Sequence, residues 1–237
     1  MRTLVGTPRL LEIHERLCAH FGCPVAFFHA LDPLSELVSS LLSHRTKNRD
    51  SAAAYRSLVA KYPTWEEVID APCEEVERAI SAATWPEQKA PRIQESLRWV
   101  RETHGSLSLD FLGELTPLEA RAWLERMPGV GPKTSAAVLV FSRLRMRALP
   151  VDSHHHRVAQ RLGLISAKMD VGPSHAVLEG MLPLDWDVQT VYDHHEVMMF
   201  LGQKICTHQA PRCPECPLLD LCPTGQARTQ SAQATLL

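Results

Sequence analysis

Four cysteines near the end of this 237-residue chain have the spacing of a soft-metal site. Cys206, Cys213, Cys216 and Cys222 follow C-x6-C-x2-C-x5-C, and Pro211, Pro214, Pro217 and Pro223 stiffen the loop that carries them. Thiolates this close in sequence can wrap one centre, and a reducing compartment disfavours pairing them as disulfides. Zinc sites usually show two CxxC-type pairs separated by a longer spacer. A single CxxC with uneven flanks suits a compact [4Fe–4S] cluster better, with zinc as the alternative. The other three, Cys18, Cys23 and Cys73, are scattered and read as small buried hydrophobes.

A second segment carries different chemistry. Leu124-Glu125-Arg126-Met127-Pro128-Gly129-Val130-Gly131-Pro132-Lys133-Thr134 joins an amphipathic stretch to an apolar one through Pro-Gly-Val-Gly. Gly129 and Gly131 permit positive φ and close approach, and Pro132 suits the first turn of a following helix. Such a helix–hairpin–helix can aim unpaired backbone N–H groups at a DNA phosphate without reading sequence, although a plain turn between two core helices has the same signature. Lys133 falls in the first turn of that second helix. The dipole there and partial burial both disfavour an ammonium, which favours an amine able to attack a sugar carbon and hold it as a Schiff base. Further on, Val151-Asp152-Ser153-His154 opens another helix, Ser153 to Leu162. Asp152 is either its N-cap or a carboxylate that faces Lys133 and stabilises an oxocarbenium charge.

These groups must be held by helices. Leu34, Leu37, Val38, Leu41 and Leu42 form the stripe of one buried helical face, and Ser135 to Phe141 is apolar enough to be buried on most sides. Pro63, Pro72, Pro86 and Pro91 predict a series of short helices, while Thr224 to Leu237 is polar, Gln- and Ala-rich, and predicts a disordered tail. The chain is expected to be all-α. With 45% hydrophobic and 22% charged residues it has the composition of a soluble globular protein, and no apolar run is long enough to span a membrane. Met1 to Leu10 lacks the features of a secretory signal, so a cytoplasmic protein is expected. The net charge of −2 is unevenly spread. Arg121 to Arg161 holds eight Lys or Arg against two acids, whereas Tyr62 to Ala120 holds twelve acids against five. One basic face for a polyanion is one reading, and two ordinary solvated surfaces the other.

M-P-G-V-G-P-K-T, then V-D-S-H, then the four-cysteine run, in that order, resemble the signature of the endonuclease III branch of the helix–hairpin–helix glycosylases. The resemblance runs from about Pro8 to Thr224. It implies a two-lobed all-α fold: a six-helix barrel over 29–146, and a [4Fe–4S] cluster lobe formed by 1–28 and 147–223, leaving 224–237 as the tail. It implies that double-stranded DNA with damaged bases or abasic sites lies between the lobes, bound by a monomer at the bacterial nucleoid, with the damaged base flipped out. Lys133 corresponds to the family's nucleophile and Asp152 to its second essential group. Because related adenine-removing enzymes lack that lysine, Lys133 implies a glycosylase with β-elimination lyase activity on oxidised pyrimidines.

Two segments depart from the family. Its gap-filling loop commonly reads L-L-S-x-Q-T, where this chain has Leu41-Leu42-Ser43-His44-Arg45-Thr46, with Arg45 in place of glutamine. The second intercalating region falls near Thr84 to Lys89, where Trp85 is unusually bulky. The expected DNA contacts are therefore Gly129, Val130, Gly131, Ser43, His44, Arg45, Thr46, Trp85 and His154. Arg45 and Trp85 also motivate an alternative, a cluster-bearing lesion sensor with little catalysis, and a redox role for the cluster is compatible with either. The run His154-His155-His156 is not expected to bind metal, because consecutive helical residues point in different directions.

Overall fold

The computed structural model describes residues 6–234. It divides into two compact units, residues 28–146 and residues 1–27 with 147–237. Twelve α-helices are present among the described residues, and none is long and apolar enough to cross a membrane.

The continuous unit contains α2 (Pro33–Ser43), α3 (Asn48–Lys61), α4 (Trp65–Asp70), α5 (Cys73–Ala79), α6 (Pro86–His104), α7 (Pro117–Leu124) and α8 (Pro132–Phe141). Its starts are written locally. Asp32 accepts from the Leu34 and Ser35 amides at the head of α2, and Thr64 with Glu67 and Thr116 with Glu119 form capping boxes on α4 and α7. The predicted stripe on α2 is fully buried and packs on α3 and α8, and α8 is buried from Thr134 to Phe141. Pro91 does not end a helix. It lies in the second turn of α6, where only one backbone bond is forgone, and burial of Ile93, Leu97 and Val100 offsets that loss.

The discontinuous unit contains α1 (Thr7–Phe21), α9 (Ser153–Leu162), α10 (Val171–Glu179), α11 (Val188–Lys204) and α12 (Pro223–Ala234). Leu10, Ile13 and Leu17 of α1 share a core with Val158 and Leu162 of α9 and with Val197 and Leu201 of α11. Two expectations change here. Cys18 and Cys23 are not separate buried thiols but a disulfide. Gly22, at φ 88, turns the chain back on the last turn of α1 and so brings Cys23 beside Cys18. The polar tail is helical over Pro223–Ala234, because Pro223 suits a first helical turn and Gln and Ala are good helix formers; residues 235–237 lie outside the described residues.

A cluster of imidazoles lies in this unit. His155 and His194 are completely buried, their ring centroids 5.4 Å apart, and among the described residues none of their four ring nitrogens has a hydrogen-bond partner. Burial, followed by the neighbouring histidines 195, 175 and 156 together with each other's ring, holds His155 far below its ordinary pKa. His194 is lowered to about 3 by burial and by His14 and His195. The folded state therefore keeps both rings neutral, while the unfolded chain binds protons near its ordinary value. The contribution of these two histidines to stability should be complete above about pH 7 and should fall on acidification through 6.5, against an opposite contribution from any carboxyl that burial raises. The expected slope is about 1.4 kcal/mol per pH unit for each histidine. Urea titrations at pH 7.5, 6.5, 5.5 and 4.5 check this. His194→Leu should flatten the slope, and equal slopes in the two proteins would disprove the assignment.

Candidate active site

The hairpin is built by α7, the turn Met127–Gly131 and α8. Only Gly129 uses positive φ (80°), and a Cβ there would lie 3.2 Å from Arg92 Nε. Gly131 does not share that need: its φ is −110°, and its carbonyl accepts from the Thr134 and Ser135 amides as the N-cap of α8. Val130 is buried, and its amide donates to the Met127 carbonyl, so its side chain anchors the turn. Among the described residues the Gly129 and Gly131 amides have no protein acceptor, which leaves them available to an anion. Lys133 sits half-buried on the first turn of α8.

The 43–46 segment lies beside this turn. His44 Nε2 is 3.1 Å from Thr134 Oγ1, the residue after Lys133. Burial, then the charges of Lys133, Lys89 and Arg92, lower His44 to about 4, so a neutral imidazole stands among three cations. Ser43 Oγ donates back to Ser40, and Thr46 Oγ1 accepts from Lys89 Nζ and the Thr84 amide, so both hydroxyls are occupied within the protein. Lys89 was not recognisable as a structural residue in the sequence. The residue is 7% exposed, and its Nζ donates to Leu42 O, His44 O and Thr46 Oγ1 at 2.6, 2.8 and 2.7 Å. Burial lowers it to about 8. With every donor engaged, Lys89 is a staple between two loops. Lys89→Met should cost about 2–4 kcal/mol in denaturant unfolding by stranding those acceptors. A loss below about 0.5 kcal/mol would show that the staple is dispensable.

In the discontinuous unit, Asp152 is the N-cap of α9, its Oδ1 accepting from His155 N at 2.7 Å. Nearby lies Glu196, a residue nothing in the sequence singled out. Burial, then the charges of Asp152 and Asp193, raise its carboxyl to about 7. His154 accepts from Arg157 at 3.2 Å and packs on Gly202, where a Cβ would approach His154 Cβ to 2.8 Å. The three consecutive histidines do diverge: His155 is buried, and His156 contacts Met169 O.

At the other end of α9, Arg161 donates to Cys206 Sγ at 3.3 Å and to the carbonyls of Cys206, Thr207 and His208. The Gly225 amide donates to Cys222 Sγ at 3.2 Å. Cys206, Cys213, Cys216 and Cys222 are all free thiols lining one pocket. Among the described residues no three His, Cys, Asp or Glu side chains converge on a point as they would around one ion. A multi-iron cluster is wider than an ion, so thiolates that ring a cavity, with donors aimed at their sulfurs, fit it better.

Residues 38–180 match the HhH-GPD superfamily of base excision DNA repair proteins. The chain belongs to the HhH-GPD superfamily. Endonuclease III of Bacillus subtilis is 33% identical over 198 residues, 83% of this chain and 84% of the relative. A putative DNA glycosylase of Arabidopsis thaliana is 30% identical over 191 residues, and this chain covers 65% of its length. The solved structure of a trapped endonuclease III–DNA covalent intermediate has a TM-score of 0.79 at 26% identity, covering 95% of this chain and all of that one. The all-α fold expected from the motifs is therefore the HhH-GPD fold.

The basic run from Arg121 to Arg161 was open to two readings, and six of its seven arginines are engaged within the protein. Arg145, Arg147, Arg157 and Arg161 donate to backbone carbonyls, and Arg143 and Arg121 pair with Asp110 and Glu125. Guanidinium forks suit such carbonyl groups, and a charge count cannot tell a fork used internally from one left for phosphate. Of the cations near the hairpin, Arg126 and Arg92 are exposed.

Proposed function

We propose that this HhH-GPD protein removes oxidised pyrimidines from double-stranded DNA as an N-glycosylase and cleaves the resulting abasic site by β-elimination. The observation that carries the reading is Lys133 on the first turn of α8, directly after a hairpin with unspent glycine amides. The kinship to endonuclease III supports the same activity. In the proposed reaction the hairpin amides hold a phosphate and the damaged nucleotide is turned out of the stack. The Lys133 amine forms a bond to C1′ as the C1′–base bond breaks, and the base leaves with the electron pair. Asp152 stabilises the positive charge that develops on the sugar. After the ring opens to an imine, a proton leaves C2′, a C2′–C3′ double bond forms, and the C3′–O bond breaks with release of the phosphate. His44, kept neutral, adds no further positive charge beside Lys133.

Duplexes carrying thymine glycol, 5-hydroxycytosine or an abasic site test the proposal. Strand scission together with a borohydride-trapped protein–DNA adduct is expected on each. Binding without either product would favour the alternative of a lesion sensor.

The four cysteines are proposed to hold a [4Fe–4S] cluster. Cys206, Cys213, Cys216 and Cys222 would hold the cluster within the 206–222 loop, and metal binding would then be coupled to folding of that unit. Purified protein should contain iron and sulfide and absorb visible light, and Cys216→Ser should lose most of that iron and lower the Tm. Stoichiometric zinc without iron in anaerobically prepared protein would replace the cluster with the alternative metal. The proposed setting is the bacterial cytoplasm, with the protein acting as a monomer at the nucleoid.

A further inference from the structure

The disulfide at the end of α1 joins two sulfurs with different surroundings. Cys23 is exposed, whereas Cys18 is half-buried against the core that α1 shares with α9 and α11. His14 lies one turn before Cys18, with Nε2 and Nδ1 at 3.6 and 3.8 Å from the Cys18 sulfur. The same ring packs on Trp186 at 4.5 Å and on His194 at 5.5 Å between centroids, which fixes its orientation. Burial lowers His14 from its ordinary pKa by more than the charges of Asp193 and Glu15 raise it. The imidazole is therefore mostly neutral at pH 7 and able to accept a proton.

The fold does not need this bond to hold the chain that follows it. The bond spans a sequence separation of only 5, so it removes little chain entropy. Beyond it, the Val25 amide donates to Asp193, the Val25 carbonyl accepts from Gln189, and Tyr192 Oη donates to Ala26 O. Phe27 stacks on Tyr192 at 4.1 Å, and on the other side Leu17 is fully buried. Opening the bond thus frees little more than the turn between the two cysteines. The other five cysteines are free thiols, so the pairing is selective. A sulfur open to solvent, a partner one turn away and a base beside that partner are what reversible thiol chemistry requires.

We propose that Cys18 and Cys23 form a reversible thiol–disulfide site that a hydroperoxide closes and a dithiol opens, with His14 moving the proton at Cys18. In closing, the Cys23 thiolate attacks a peroxide oxygen, the O–O bond breaks, and Cys23 sulfenic acid forms as hydroxide or alkoxide leaves. The Cys18 sulfur then attacks the Cys23 sulfur and gives its proton to His14. The S–O bond breaks, and the oxygen leaves as water with that proton. The two sulfurs lose two electrons, which the peroxide takes. In opening, a thiolate of the dithiol attacks Cys23, the sulfur that solvent reaches, and Cys18 leaves and recovers a proton through His14. The second thiol of the reductant then displaces Cys23, and the dithiol departs as a disulfide. The site is independent of the DNA-repair reading above, because its chemistry is measured on the protein without DNA.

The test treats the full-length protein, as purified and under native conditions, with stoichiometric hydrogen peroxide or with millimolar dithiothreitol, followed by alkylation and tryptic digestion. Residues 17–45 form one tryptic peptide that holds Cys18 and Cys23 and no other cysteine, so its mass reports this pair alone. Peroxide should leave most of the peptide closed, dithiothreitol should leave most of it doubly alkylated, and the two states should interconvert over repeated cycles. Cys18→Ser should accumulate a sulfenic acid that dimedone captures at Cys23, whereas Cys23→Ser should give about tenfold less capture at Cys18. His14→Phe keeps a ring against Trp186 and should leave the Tm unchanged. It should slow conversion of the sulfenic acid to the disulfide by about a hundredfold, the low end of what a positioned base contributes. A bond that resists dithiothreitol until the protein is denatured would make the disulfide purely structural and overturn the proposal. A peptide that stays doubly alkylated after peroxide would overturn it as well. Preferred capture at Cys18 would overturn the order of attack, and unaltered closure in His14→Phe would overturn the role of His14.

Discussion

Lys133→Gln should lose borohydride trapping entirely and lose strand scission by about a thousandfold or more, with little change in fold or in affinity for an abasic analogue. The loss follows from chemistry: an amide nitrogen has no lone pair available for imine formation. Retention of the fold follows from position. Lys133 is half-buried on the first turn of α8, whereas the helix is secured by the buried face from Thr134 to Phe141 and by the bond from Ser135 Oγ to Glu125. Binding should persist because the hairpin amides, Arg45 and Trp85 are untouched. Trapping of the variant at the wild-type rate would move the nucleophile elsewhere. Lys89 is a poor candidate, since all three of its donors are engaged within the protein.

Asp152→Asn should lower base excision by about a hundredfold to a thousandfold, measured as single-turnover release from a lesion duplex. Stability should change by less than about 0.5 kcal/mol, because asparagine caps a helix as well as aspartate does and can still accept from the His155 amide. The pair of measurements separates the capping role of Oδ1, which the structure shows, from the charge role proposed for the same carboxylate. A further readout lies in Glu196. Burial raises its carboxyl first, but the Asp152 charge contributes, so the variant should titrate Glu196 below its present value of about 7. Full activity in Asp152→Asn would leave only the capping role. Asp152→Ala should in addition cost about 1 kcal/mol of stability, since the cap itself is then lost.

The HhH-GPD superfamily, the hairpin and the candidate residues Lys133 and Asp152 were legible in the chain because each depends on local order. A Gly-Val-Gly-Pro-Lys turn, an Asp before a helix and cysteines two to six residues apart keep their meaning wherever the segment is placed. The buried stripe of α2 was equally legible, since helical periodicity states which face avoids water. What the tertiary structure alone decided are pairings across long separations. Lys89 reaches back to Leu42, His44 and Thr46 and turns from a surface cation into a buried staple. Glu196 reaches the neighbourhood of Asp152 only because α11 packs on α9, and His155 meets His194 for the same reason. Arg145, Arg147, Arg157 and Arg161 of the basic run bind carbonyls whose positions no charge count contains. Sequence order determines what a residue can donate, accept or bury. Which partner it meets depends on the packing of helices far apart in the chain, and that packing is set by apolar faces that carry no label for their counterpart.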